Sequence, residues 1–251
     1  MKKNVINSLI VIFVFVFAYY GRRPVFEILG ISFDQYWLRM LAFYLWWTIP
    51  ALVITGILYS FKDIFSNLGL DKGFLTGLWV AALSVLPMFA GSAFTGAFVK
   101  DTPVMELLRG TLFAGFFEEF LFRGFLFGLL FNKNHWGFIP VALLGALIFG
   151  SGHMYQGNTL SQTIGVFIMT ALGAAWFSWL YIEWKNNLWV PVFLHIFMNL
   201  SWTLFDVSEN ALGTIIPNLF RAATIAVSIM LTLKLNPVRR INRTVLNRNS
   251  A

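Results

Sequence analysis

Residues 106–131 read ELLRGTLFAGFFEEFLFRGFLFGLLF, an apolar stretch that carries two adjacent glutamates and an arginine near its middle. A bilayer core of about 30 Å needs about 20 mainly apolar residues in a helix, so this stretch is long enough to cross a membrane. Asp, Lys or Arg at the centre of such a helix costs roughly 2.5 to 3.5 kcal/mol on insertion scales, and ionisable residues there mark a functional site by default. The stretch therefore predicts a membrane fold with a functional site inside it.

The composition of the whole chain agrees with a membrane fold. Of the 251 residues, 58% are hydrophobic and only 12% are charged, whereas soluble domains have about 45 to 50% apolar and about 25% charged residues. The chain has no cysteine, which excludes disulfides, thiolate metal sites and cysteine nucleophiles. The net charge of +7 is better explained by residues that flank membrane spans than by nucleic-acid binding, so we predict no nucleic-acid partner.

Seven further apolar segments extend this prediction along the chain. We expect an all-α polytopic membrane protein with about eight transmembrane helices and an active site inside the bundle. Residues 1–251 form a single integral membrane domain in this interpretation, with a motif-bearing core at about 106–205. The predicted spans are Val5–Tyr20, Tyr36–Phe61, Phe74–Val99, Glu106–Phe131, Trp136–Gly152, Ser161–Ile182, Leu188–Phe205 and Ala211–Leu233.

The distribution of lysine and arginine predicts the orientation of these spans. If both termini are cytoplasmic, only Arg22, Arg23 and Lys100 lie in outer segments, in accord with the positive-inside rule. We therefore expect a multi-pass protein in the plasma membrane of a bacterium, with a basic segment at 239–248 that contacts anionic lipid. Its cavity should open toward the cytoplasm or laterally to lipid. The inner basic residues are Lys2, Lys3, Lys62, Lys72, Lys133, Lys185, Lys234, Arg239, Arg240, Arg243 and Arg248.

Helix geometry separates the two central glutamates. Residues four apart share a helix face, whereas neighbours point about 100° apart, so Glu119 should face Arg123 and Glu118 should point elsewhere. A single Glu–Arg pair inside a membrane could be purely structural. Two glutamates and one arginine do not form a neutral pair, so we expect Glu118 to face other helices or a water-filled cavity, where it could act as a general base.

Two histidines and an asparagine add polar groups on other predicted spans. His153 ends the fifth span, and His195 and Asn199 share one face of the seventh because they are four residues apart. Each of these residues alone is more often a packed, hydrogen-bonded side chain than a catalytic one. Together with Glu118 they place acid–base groups and hydrogen-bond donors on three spans, which is hard to explain as packing.

These residues form three motifs whose order and membrane context resemble the signature of the CPBP family, also called Abi. That family comprises the type II CAAX prenyl endopeptidases and their bacterial relatives. The resemblance covers roughly residues 106–199, and the other spans match only in being hydrophobic. The motifs are Glu-Glu-x-x-x-Arg at Glu118 to Arg123, Phe-x-x-x-His at Phe149 to His153, and His-x-x-x-Asn at His195 to Asn199.

The resemblance implies a metalloprotease-like hydrolase, an intramembrane endopeptidase that cuts a membrane-associated or prenyl-type substrate. It implies that Glu118 with His153 activates a water and that His195 with Asn199 donates hydrogen bonds to the oxyanion. It also implies that Glu119 and Arg123 support the site, while Phe149 packs to orient His153. The expected partners are membrane lipid and a peptide or protein substrate, with or without a lipid group, and no cofactor is required.

Other functions remain open on the sequence. A zinc protease could use Glu118, His153 and His195 as ligands and leave a fourth position for water, although the usual His-Glu-x-x-His spacing is absent. The chain could also be a non-catalytic bacteriocin immunity or scaffold protein, or a transporter that relays protons through its buried carboxylates. Immunity and proteolysis are compatible, because a protease can confer immunity by cleavage.

Overall fold

The computed structural model describes residues 2–99 and 101–236, and all regular structure within these ranges is helical. Lys100 and the basic segment 239–248 lie outside the described residues. The α-helices are α1 (Lys2–Tyr20), α2 (Arg22–Ile28), α3 (Tyr36–Tyr59), α4 (Ile64–Asn67), α5 (Phe74–Thr95), α6 (Val104–Leu108), α7 (Ala114–Glu119), α8 (Phe138–His153), α9 (Leu160–Glu183), α10 (Trp189–Leu204) and α11 (Ile215–Leu235).

Residues 104–133 form one uninterrupted helical run in which α6 and α7 alternate with π-helical segments. The π segments are Arg109–Phe113, Phe120–Phe127 and Leu129–Lys133. We call the whole run the 104–133 helix. Its π turns are wider than α turns because each hydrogen bond spans five residues, and such turns are rare and frequent at functional sites.

The prediction of an all-α polytopic membrane protein is confirmed. Among the described residues, six helices are long and apolar enough to cross a membrane. The seventh predicted span is the shorter apolar helix α10, whose 16 residues rise about 24 Å. The 104–133 helix contains the fourth predicted span and completes the set of eight. The six longer helices are α1, α3, α5, α8, α9 and α11.

Five predicted spans extend beyond the observed helices. The fifth and seventh do so by no more than two residues at either end, because α8 begins at Phe138 and α10 is Trp189–Leu204. The second predicted span includes Phe61, but α3 ends at Tyr59 because Ser60 has a φ of 105°. The third includes Val99, although Gly96 is already extended and ends α5 at Thr95. The eighth begins at Ala211 in the prediction and at Ile215 in the structure, since hydropathy does not separate an apolar loop from a helix.

The bundle packs around two buried apolar clusters. The larger joins α1, α3, α8 and the 104–133 helix, and the smaller joins α5, α9 and α10, while α11 packs on α5. The 104–133 helix approaches α10 closely at Gly115, where a Cβ atom would lie 2.6 Å from Cγ1 and 2.9 Å from the backbone nitrogen of Ile196. Small residues permit such approaches between membrane helices. This contact brings the central glutamates beside His195.

Candidate active site

Glu119 and Arg123 form a fully buried ion pair. The Arg123 Nη1 atom donates to Glu119 Oε1 at 3.0 Å, and the two side chains are 1% and 0% exposed. The guanidinium group also lies over the rings of Phe149 and Phe177, at 5.0 Å and 5.4 Å from their centres. The predicted contact between these residues, four apart on one helix, is confirmed.

His195 of α10 binds the same carboxylate from a second helix. Because a carboxylate only accepts, the His195 Nδ1–H group donates to Glu119 Oε1, at 2.8 Å. This bond fixes the ring orientation and leaves Nε2 directed away from Glu119. A four-residue spacing identifies only partners on the same helix, so the sequence did not predict this contact. Glu119 therefore joins Arg123 to His195.

Glu118 points away from this ion pair, as its helix position predicts. Its Oε2 atom lies 3.9 Å from His195 Nε2, which is beyond hydrogen-bonding distance. The side chain remains 21% exposed, whereas Glu119 is completely covered. Glu118 is thus the carboxylate that a substrate or water in the cavity could reach.

His153, the last residue of α8, is held by its own helix. Its Nδ1 atom donates to the Phe149 carbonyl at 2.7 Å, and the two rings lie 4.4 Å apart. The Phe149 ring is also 6.5 Å from that of His195, so it packs between the two histidines. No hydrogen bond links His153 to Glu118 in the part of the chain that the structure describes, but its Nε2 is free for one.

Asn199 lies one turn beyond His195 and has one amide hydrogen already bonded. Its Nδ2 atom donates to the carbonyl of Gly110 at 2.9 Å, in the first π segment of the 104–133 helix. The second hydrogen of the amide group is left for another acceptor. Asn199 can therefore supply at most one hydrogen bond to a reacting group without breaking its contact to Gly110.

The four predicted catalytic residues line one cavity of about 1340 Å³. Glu119 and Arg123 are not in its wall but lie behind Glu118 and His195. Sequence reasoning missed Tyr44, which lines the cavity from α3 and stacks on Phe117 with ring centres 4.3 Å apart. It also missed Arg221. No motif or spacing distinguishes either residue in the sequence.

The proposed zinc ligands share this cavity but do not surround one point. Among the described residues, no group of three or more His, Asp or Glu side chains is arranged to hold a metal ion. Glu118 and His195 are close, and both histidines keep Nε2 available because their Nδ1 atoms are bonded. A zinc site would thus require His153 or its neighbours to move.

Comparison with known proteins links this site to a protease family. Residues 100–201 match the family model described as type II CAAX prenyl endopeptidase Rce1-like. All three motifs lie in the matched segment, which confirms the resemblance seen in the sequence. Tyr44 and Arg221 lie outside it. No solved structure matches the chain.

Two curated bacterial proteins are similar to parts of the chain. One, from Bacillus subtilis (strain 168), is named "Putative membrane peptidase YdiL" and is 31% identical over 101 residues, which cover 40% of this chain and 36% of that protein. The other is the UPF0177 protein YvdC of Lactococcus lactis subsp. lactis (strain IL1403), 25% identical over 134 residues, or 53% of this chain and 46% of the relative. The match spans less than half the length of either relative.

Proposed function

Because residues 100–201 match the family model of the type II CAAX prenyl endopeptidase Rce1-like proteins, we propose that the chain is an intramembrane peptidase. Its substrate is a membrane-associated peptide or protein, of the prenyl type or without a lipid group. The observation that carries the proposal is the cavity itself, where ionisable groups from three separate helices meet inside an apolar bundle. Polar groups at that depth must find partners or water.

In this proposal Glu118 is the general base. Its carboxylate accepts a proton from a water molecule as the water oxygen adds to the scissile carbonyl carbon, and the C–N bond then breaks. His153 Nε2 accepts a hydrogen bond from the water and then relays the proton that Glu118 took to the leaving amine. The exposure of Glu118 to the cavity and the bonded Nδ1 of His153 support these roles.

His195 and Asn199 stabilise the oxyanion in the same scheme. With Nδ1–H held by Glu119, a protonated His195 presents Nε2–H to the cavity, and Asn199 adds its remaining amide hydrogen. Loss of one oxyanion donor typically costs about 100- to 1,000-fold in rate.

The test is cleavage of apolar fluorogenic peptides, with and without a prenyl group, by purified protein in liposomes. We expect cleavage by the wild type and a loss of at least about 100-fold in Glu118→Ala. His135→Asn is the matched control, because His135 lies in a turn with a φ of 63°, a conformation that asparagine tolerates. A folded wild type that cuts none of these peptides would contradict the proposal. A non-catalytic immunity or scaffold protein would instead keep its cellular phenotype in Glu118→Ala.

Zinc dependence is a separate question with its own measurement. The Glu119–His195 hydrogen bond resembles the carboxylate that orients a metal-bound imidazole, so a zinc mechanism stays the second candidate. In the metal-free scheme, prolonged chelation leaves cleavage unchanged and Asn199→Ala lowers kcat more than it raises KM. Near-equimolar zinc in the purified protein, with activity lost on chelation and regained on adding zinc, would reject that scheme and keep the peptidase.

A further inference from the structure

Arg221 of α11 is a cation in the cavity wall whose charge no acidic side chain balances. Within the described residues, none of the ion pairs involves Arg221. Its Nη1 atom donates to the carbonyl of Ala211 at 2.9 Å, whereas Nε and Nη2 have no hydrogen-bond partner there. Arg221 is partly buried and has no ion-pair partner in the described part of the chain, so it is available to an anionic ligand, whereas Arg123 is fully buried and paired with Glu119.

The guanidinium group is nevertheless held in a fixed position. Its central carbon lies 4.3 Å from the centre of the Trp202 ring, close enough for a cation–π contact. Gly213, with a φ of 68°, packs against the same pair, since a Cβ there would lie 2.7 Å from Trp202 Cη2 and 3.5 Å from Arg221 Nη2. An arginine that is already ordered loses little entropy when it binds a ligand.

Arg221 shares its wall of the cavity with the proposed oxyanion donors. Trp202 follows His195 by seven residues and Asn199 by three, so all three lie on one face of α10. The rise of a helix places Trp202 about 10 Å from His195 along the axis. Arg221, stacked on Trp202, is therefore within the cavity but beyond the reacting groups, next to the segment 205–214.

We propose that Arg221 binds a carboxylate of the peptide substrate and so selects substrates with an acidic group beyond the scissile bond. The proposal rests on the peptidase function and names a specificity residue for it. The Nε and Nη2 atoms form the edge of a guanidinium group that matches a carboxylate in two parallel hydrogen bonds. Arginines also outnumber carboxylates in the cavity wall, which favours an anion. With Arg221 they are Arg22, Arg39 and Arg109, against Glu118 and Glu209.

The experiment compares matched fluorogenic peptides that differ by one charge. One pair has a free C-terminal carboxylate or a C-terminal amide, and a second pair has Glu or Gln beyond the cleaved bond. We expect the wild type to show a KM about 10- to 100-fold lower for one of the acidic peptides, the range that a charge-assisted hydrogen bond supplies. Arg221→Gln should abolish this preference while kcat for the neutral peptide stays near the wild-type value.

Lys234→Gln is the control, because it removes the same charge from an exposed position at the other end of α11. It should keep the full preference. Equal KM values for the acidic and neutral members of both pairs in the wild type would overturn the proposal, whether or not Arg221→Gln folds. A preference for the acidic peptide that Arg221→Gln retains would also overturn the proposal. So would a wild-type preference that disappears only when the liposomes contain anionic phospholipid, because that result assigns Arg221 to lipid phosphate.

Binding separates a failure of this proposal from a failure of the peptidase function. The Glu118→Gln protein should bind the dye-labelled acidic peptide more tightly than its neutral partner in fluorescence anisotropy, by the same 10- to 100-fold. If no peptide is cleaved but this difference persists, the peptidase function is wrong and the carboxylate site stands. If cleavage occurs and binding shows no difference, the carboxylate site is wrong alone.

Discussion

Glu118 and Glu119 are adjacent in the chain but occupy different surroundings. Glu119 is completely buried and accepts from both Arg123 and His195, whereas Glu118 faces the cavity without a hydrogen bond among the described residues. A buried carboxylate with two charged or polar donors holds its neighbours in place. A carboxylate at a cavity is available to a reacting molecule. In the proposed mechanism the two residues therefore have separate roles, Glu119 in supporting the structure and Glu118 in the chemistry.

This separation predicts different stabilities for two conservative variants. Glu119→Gln should unfold more easily, because it leaves the buried Arg123 without its counter-charge, and breaking a buried pair costs about 3 to 5 kcal/mol. Glu118→Gln should unfold at a temperature close to that of the wild type but lose activity. Thermal unfolding in detergent measures the stability of both variants. Equal transition midpoints for the two variants would refute the division of roles.

At this scale the sequence predicted contacts within a helix and missed contacts between helices. The Glu119–Arg123 pair follows from a four-residue spacing, which fixes neighbours on one helix face. The Glu119–His195 bond joins positions 76 residues apart, and no periodicity encodes which helix faces which. The sequence did not single out Arg221 for the same reason, since its importance depends on the residues that surround it and not on its spacing.

At the scale of helices, the contact between the 104–133 helix and α10 sets the geometry of the site. Gly115 lies one turn before Glu119, and Ile196 directly follows His195. The missing Cβ at Gly115 lets the two backbones approach, and that approach determines whether His195 Nδ1 reaches Glu119. The close packing of these two helices is therefore part of the geometry of the candidate active site.

Gly115→Ala tests this dependence. Alanine favours a helix by about 1 kcal/mol over glycine, but here its Cβ would meet the backbone of Ile196, which cannot move like a flexible side chain. We expect overpacking to cost about 1 to 3 kcal/mol of unfolding free energy and to lower cleavage by separating Glu119 from His195.

The matched control is Gly145→Ala in α8, where no atom lies within 4 Å of the added Cβ. This variant should be as stable as the wild type or up to about 1 kcal/mol more stable, and fully active. If both variants gain stability and keep activity, the approach at Gly115 does not matter to the site.

Helix existence was predictable, whereas helix type was not. Runs of about 20 apolar residues have few alternatives to a spanning helix in lipid, so hydropathy located the spans. The π segments of the 104–133 helix have no signature in its apolar sequence. Its aromatic side chains pack on other helices, for example Phe122 against Phe15 and Phe149 with ring centres 5.1 Å and 5.0 Å apart. Such packing is decided by several helices together, and a single segment does not reveal it.

For the whole molecule, the cavity belongs to one end of the bundle. Its wall includes residues from the segments that follow α1, α8 and α10, namely Arg22, Tyr155, Gln156 and 208–211. In an eight-span chain these are the first, fifth and seventh crossings, so the segments share one membrane face. That face is opposite to the one on which Lys2 begins α1. We call the end of the cavity that these segments line its mouth. The mouth and the N-terminus therefore lie on different sides.

This arrangement makes two expectations from the sequence incompatible. A cytoplasmic N-terminus, favoured by the lysine and arginine distribution, places the mouth on the outer face, whereas a mouth open to the cytoplasm requires the reverse orientation. We give more weight to the charge distribution. Lys62, Lys133 and Lys185 each lie between an even-numbered span and the next odd-numbered one, which is the same face as the N-terminus. A substrate would then enter from the outer face or from the lipid.

The absence of cysteine allows a direct test of this orientation, since any introduced cysteine is the only thiol in the chain. Tyr155, which is 81% exposed, reports the face of the mouth, and the exposed Lys62, between α3 and α4, reports the opposite face. In intact cells, a membrane-impermeant maleimide should label Tyr155→Cys and spare Lys62→Cys, and both should react after lysis. The reverse pattern would place the mouth in the cytoplasm and both predicted termini outside. Labelling of both variants in intact cells would contradict the alternating path of the spans, because two positions on opposite faces cannot both be outside.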